Sequence, residues 1–248
     1  MKKFLKNEII LSLTLVLGLA AAFAHRHLMT TGIDSKGLLI PNHPLTLTLW
    51  ALCGGFVLLA LWISRQQKVC AGFEAHYPPC RIRGALGIAG GIAVAFSGAM
   101  MLKSSQPLIG GAALAAGVCM ALAGLCRLLG KRPTPLFHCV VCIFFIINLV
   151  LSFRSWSADP QLQDYVLPLM ASLSLMLFAY HRASSDADIM TPKRSVFFSL
   201  CAAFFCLAAL SDETLRPLYL GAGAWAAGAA PTVEIIEQPT EEEPEEEV

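Results

Sequence analysis

GALGIAGGIAVAFSGAMML, from Gly84 to Leu102, is followed by Lys103, Ser104, Ser105 and Gln106 and then by PLIGGAALAAGVCMALAGLCRLL, from Pro107 to Leu129. Each apolar segment has the length of a bilayer-crossing helix, roughly twenty residues. The four-residue link obliges the two to run antiparallel and to touch. Gly87 and Gly91 form a GxxxG pair, and Ala113, Gly117, Ala121 and Gly124 carry a small face down the second segment. In lipid, apolar bulk gives no advantage at a helix contact, so small residues that let backbones approach mark an interface. Gly87, Gly91, Gly117 and Gly124 are therefore expected to be packing residues.

The rest of the chain extends this reading. Of 248 residues, 56% are apolar and 14% charged, and the mean hydropathy is +0.64. That balance belongs to an integral membrane protein and not to a water-soluble domain. Apolar segments are predicted over 8–24, 45–64, 84–102, 107–129, 136–153, 165–181, 195–211 and 217–230. The expected fold is an all-α polytopic bundle of about eight transmembrane helices, or seven if the last segment, only fourteen residues long, does not cross. PLIGGAALAAG at 107–117 resembles PLYLGAGAWAAG at 217–228 with one residue inserted, which suggests a weak parallel 4+4 repeat. Trp50 and Trp62 flank the second segment as interfacial anchors, Gly54 and Gly55 offer it a close-contact site, and Pro168 is expected to kink the sixth.

Basic residues set the orientation. Lys2, Lys3 and Lys6 precede the first segment, and alternate loops carry Arg65, Lys68, Arg81 and Arg83, then Arg127, Lys131 and Arg132, then Arg182, Lys193 and Arg194. Thirteen basic residues thus fall on one side and five on the other, which predicts both termini in the cytoplasm and the cytoplasmic membrane as the location. Ala22 and Ala24 have signal-peptidase spacing, so removal of residues 1–24 is the alternative to a retained first helix. A turn-rich outer cap is expected from His25 to Pro44. Residues 231–248 hold eight of the seventeen acids and are expected to be a disordered acidic tail, solvated or docked on a basic partner or on the chain's own inner loops. The body without them carries +9 and suits anionic headgroups.

No acid or base falls in the middle of a predicted span, which counts against proton relays and cation-coupled transport. Asn148 is the one strongly polar residue deep in a span, and either bonds a neighbouring helix or binds a ligand. His25, His27 and His43 with Asp34 are candidate ligands for a transition metal. His138, Cys139 and Cys142 form a second candidate run, completed by Cys70, His76, Cys80 or Cys126. No nucleotide-binding or hydrolase motif is present. The expected role is a non-enzymatic accessory or sensor-type membrane subunit. The rival is a small-molecule carrier with a site near Gly54, Gly55 and Asn148, and the third class is a metal-dependent membrane enzyme. Apart from such a metal no cofactor is expected. The expected partners are the lipid bilayer and a membrane or cytoplasmic protein, with no nucleic acid.

Overall fold

A computed structural model describes residues 2–32, 40, 43–67, 73–104, 106–156, 165–189, 192–211 and 215–233. The described residues are mostly helical, with no strand among them: α1 (Lys2–Thr31), α2 (Pro44–Arg65), the short α3 (Phe73–His76), α4 (Arg81–Lys103), α5 (Pro107–Leu128), α6 (Pro135–Trp156), α7 (Val166–Asp186), α8 (Pro192–Ala208) and α9 (Arg216–Ala229). Proline opens α2, α5, α6 and α8 and is second in α9. There its fixed φ is already helical and its missing N–H has no intrahelical partner to lose. Pro168 is the third residue of α7, inside the same tolerant first turn, so the expected kink has no cause.

Seven of these helices, all but α3 and α9, are long and apolar enough to cross a membrane. Their outer surface exposes large apolar side chains, as a membrane-embedded bundle would: Phe23 is 79% exposed, Leu47 76% and Ile82 76%. Trp50 and Trp62 are exposed on α2, as interfacial anchors would be, whereas Trp225 of α9 is wholly buried.

The α4–α5 hairpin is the most extensive helix pair in the bundle, and its backbones approach closely. A methyl group built at Gly91 would collide with Ala121 N and lie 2.7 Å from Gly117 O, and one at Gly124 would lie 2.7 Å from Ile88 N. Gly98 extends the contact toward the link, 2.6 Å from Leu114 N on the same construction. The opposite face of α4 receives α9 equally closely, through Gly90 against Trp225 N at 2.6 Å and Gly228 against Gly87 N at 2.7 Å. Gly54 and Gly55 differ. A methyl at either meets nothing within 4 Å, so they form no close-contact site in this structure.

The short α9 is the centre of the bundle, packed on α4 and α8 with further contacts to α5 and α7. A helix wrapped by others need not match the bilayer thickness, which explains its fourteen residues. In turn α8 packs against α1, α2, α7 and α9. The halves suggested by the repeat share some pairings, α1–α2 with α6–α7 and α4–α5 with α8–α9. They differ in that α7 packs on α8 while α2 and α4 make no comparable contact among the described residues.

Two boundaries move. The turn-rich cap was expected to begin at His25, but α1 is continuous to Thr31, because Thr14, Ala21, His25 and Leu28 form one buried stripe facing the bundle. The sixth predicted segment was expected to end at 181, but α7 runs on to Asp186, with His181, Arg182, Ser185 and Asp186 all buried. The tail was expected to be free from Pro231, but Thr232 N–H donates to His76 O at 2.8 Å and Val233 is buried. Residues 234–248 lie outside the described ones.

Candidate functional site

At the end of the bundle where α5 and α7 terminate, four cationic side chains converge. Gly130, at φ +68°, ends α5 in the left-handed region, with Lys131 N–H donating to Cys126 O at 2.8 Å. This turn brings Lys131 and Arg132 back over the helix end. Asp188, at φ 65°, plays the same part after α7, and aspartate tolerates that region better than most residues. The two turns meet in a fork, Arg132 Nη1 donating to Asp188 Oδ2 at 2.8 Å with Nη2 2.7 Å from Oδ1. The Arg132 guanidinium holds the Asp188 carboxyl below its ordinary range.

Behind the fork lie two buried guanidiniums. Arg127 Nη1 donates to Gly228 O at 2.6 Å and Ala230 O at 3.0 Å, capping the carbonyl end of α9 with positive charge. Its Nε and Nη2 have no hydrogen-bond partner among the described residues. Arg182 is 3% exposed and stacks 3.6 Å above the Tyr77 ring. Tyr77 is itself held by Ser195 Oγ at 2.8 Å. Arg182 Nη1 stands 3.3 Å from Asp186 Oδ1, and His138 Nδ1 stands 2.7 Å from Asp186 Oδ2. These are ion-pair distances with poor alignment, so neither carboxylate oxygen accepts a well-directed hydrogen bond.

Phe73, Tyr77, Arg127, Lys131, Arg132 and Arg182 line a cavity of about 270 Å³. Asp188 is committed to Arg132, and Asp186 lies behind Arg182 beside His138. The lining therefore has an excess of positive charge and unspent N–H donors, the chemistry that receives a phosphate or carboxylate group. Its volume suits a phosphate or pyrophosphate group; drug-sized ligands occupy roughly 300–1,000 Å³.

The opposite end holds the residues selected from sequence. Asn148 and His25, taken from two different readings, line one cavity of about 880 Å³. Asn148 Nδ2 donates to Ser172 Oγ at 3.1 Å, Ser172 Oγ lies 3.2 Å from Tyr219 Oη, and Tyr219 Oη donates to Pro168 O at 3.2 Å. His25 Nδ1 is 2.7 Å from Ser211 Oγ. The proposed metal set does not assemble among the described residues: His27 is exposed, and His43 Nδ1 accepts the Leu45 N–H at the start of α2. Asp34 lies outside the described residues. The second run is also divided, since His138 is buried against Asp186 and Trp225 while Cys142 donates to Met176 O on α7. Cys70 lies outside the described residues, and no three metal-binding side chains cluster among those described.

Sequence reasoning missed Arg127, Arg182 and Asp186 as a cluster because they fall at span ends and in a stretch, HRASSD, that reads as loop. The available signal was periodicity. Ala171, Leu175, Phe178 and Arg182 continue one helical stripe across the assumed boundary. No protein-family model matches this chain, and no match emerges among curated proteins or solved structures.

Proposed function

We propose that this chain is a non-enzymatic protein of the cytoplasmic membrane that binds a phosphate-bearing group at its Arg-rich end and acts as a sensor or accessory subunit. The observation that carries the reading is Arg182, a guanidinium 3% exposed that lines the cavity, beside Arg127 with two guanidinium nitrogens, Nε and Nη2, unspent. A buried cation without full hydrogen bonding is costly, and an anion in the cavity removes that cost. The thirteen-to-five distribution of basic residues supports placing this end in the cytoplasm. The phosphate then comes either from a soluble metabolite or from an inner-leaflet lipid headgroup.

Thermal unfolding of the full chain in zwitterionic nanodiscs separates these sources. Saturating pyrophosphate raises the midpoint by about 5 °C if the soluble group binds. Phosphatidic acid in the disc raises it, and blocks the pyrophosphate effect, if the headgroup binds. A response to neither, or an equal response to sodium chloride of matched ionic strength, overturns the reading.

A carrier is the second reading, favoured by cavities at both ends of the bundle with buried Tyr219 and Trp225 of α9 between them. It predicts that proteoliposomes accumulate labelled phosphate and lose this with Arg182→Gln; binding without accumulation leaves the sensor reading.

A further inference from the structure

The residues that follow α9 are tied to the lining of the Arg-rich cavity. Ala230 O accepts from Arg127 Nη1 at 3.0 Å and from Arg83 Nη1 at 3.3 Å. Two residues on, Thr232 N–H donates to His76 O at 2.8 Å, and Thr232 O accepts from Gln67 Nε2 at 3.2 Å. His76 precedes Tyr77, which lines the cavity together with Phe73, Arg127 and Arg182. Val233 is buried, and the next residue is Glu234. The chain therefore leaves the bundle beside the cavity, and residues 234–248 hold eight glutamates with no Lys or Arg.

The cavity lacks what this segment carries. Arg127 Nε and Nη2 have no hydrogen-bond partner among the described residues, Lys131 and Arg132 are exposed, and the Asp188 carboxylate is committed to Arg132. Guanidinium forks receive carboxylates by the same geometry as phosphates. Reach does not limit the match, since an extended chain covers about 3.3–3.6 Å per residue and Glu237, five residues beyond Thr232, can extend about 17 Å from that anchor. A tethered group meets its site at an effective concentration on the order of millimolar. Carboxylates whose single pairs with exposed cations contribute little can then act together.

We infer that the glutamates of residues 234–248 occupy the Arg-rich cavity and compete there with the phosphate-bearing ligand, so that the chain carries its own inhibitor. The competition rests on the reading of the cavity as a phosphate site, whereas occupancy by the tail rests on the anchors at Ala230 and Thr232 and on charge. Phosphate binding then releases the tail, a change that a partner of a sensor subunit can read.

Two measurements on the full chain in phosphatidylcholine nanodiscs test this. Carbodiimide joins a lysine amine to a carboxylate in contact with it, and mass spectrometry locates the amide. Lys131 lines the cavity; Lys193, equally exposed at the same end and two residues from the Ser195 that holds Tyr77, does not. Tail glutamates should couple to Lys131 with about tenfold preference over Lys193. Coupling shared equally between the two lysines, which marks a solvated tail, or no coupling at Lys131 overturns the proposal. In the second measurement the eight glutamates between 234 and 247 are replaced by glutamine, which keeps the chain length and should tighten pyrophosphate binding about tenfold. The gain should vanish at about 1 M salt, where the screening length is about 3 Å. Equal affinities at low salt overturn the competition. If neither protein binds pyrophosphate, the phosphate reading fails by itself, and coupling at Lys131 still upholds or overturns occupancy by the tail.

Discussion

The two ends of the bundle handle polarity in opposite ways. At one end four cations crowd a cavity of about 270 Å³, with Asp188 already committed to Arg132. At the other a cavity of about 880 Å³ is lined, among the described residues, without a single formal carboxylate, ammonium or guanidinium, and its polar groups are the neutral side chains of serines, Gln106, Tyr165, His25 and Asn148, the last tied into a chain of hydroxyls. The same helices α4, α5, α6, α7 and α9 connect the ends, so the contrast comes from side chains at their termini and not from a change of architecture. In a membrane protein the bundle supplies the frame, and a few residues at each mouth select the ligand class.

The largest effect is expected from breaking the frame that both ends share. Gly91→Leu drives a side chain into the backbone of Ala121 and Gly117, and should abolish recovery of folded protein in detergent. Gly54→Leu adds the same side chain where nothing lies within 4 Å, and should leave yield and unfolding midpoint unchanged. Equal outcomes for the two variants would remove the glycine interface as the basis of the fold.

Next come changes at the Arg-rich end alone. Arg182→Gln should weaken pyrophosphate binding by roughly a hundredfold, since a charge-assisted pair contributes about 1.5–3 kcal/mol. Calorimetric titration of pyrophosphate into wild type and variant side by side checks this. Lys131→Gln, at the rim of the Arg-rich cavity, should weaken pyrophosphate by only a few fold and flatten the salt dependence, read from titrations at two ionic strengths.

The smallest effect concerns pH. The Asp188 carboxyl is held below its ordinary range by Arg132, so its contribution to stability is complete above that range and is lost as pH falls through the depressed value in the folded protein. Asp188→Asn should therefore make the unfolding midpoint less sensitive to acidification through the carboxylate range. The difference should be slight because the side chain is 70% exposed. Midpoints measured in a pH series for the two proteins give the answer.

How much of this was legible beforehand follows from where the physics is local. Gly87, Gly91, Gly117 and Gly124 could be read as packing residues because their spacing places them on one helix face, and the all-helical membrane architecture follows from segment length and hydropathy. Gly54 and Gly55 show the limit of that logic, since a small residue permits close approach without supplying a neighbour. Asn148 was visible as a lone polar residue in a span, but its partners Ser172 and Tyr219 come from α7 and α9, and no spacing rule joins them. The Arg-rich site was hidden for a different reason. Arg127 and Arg182 look like the ordinary basic ends of spans, and only the packing of α9 and the stretch around Tyr77 over those ends encloses them. Burial is a tertiary property, so residues that read as solvated became the most constrained in the molecule.

The central claim is that the Arg-rich cavity binds a phosphate-type anion, and calorimetric titration of pyrophosphate into the full chain in zwitterionic nanodiscs tests it most directly. The account predicts a saturable one-site isotherm that weakens with added salt and vanishes in Arg182→Gln. An absence of heat in the wild type, or an isotherm unchanged in the variant, would contradict it.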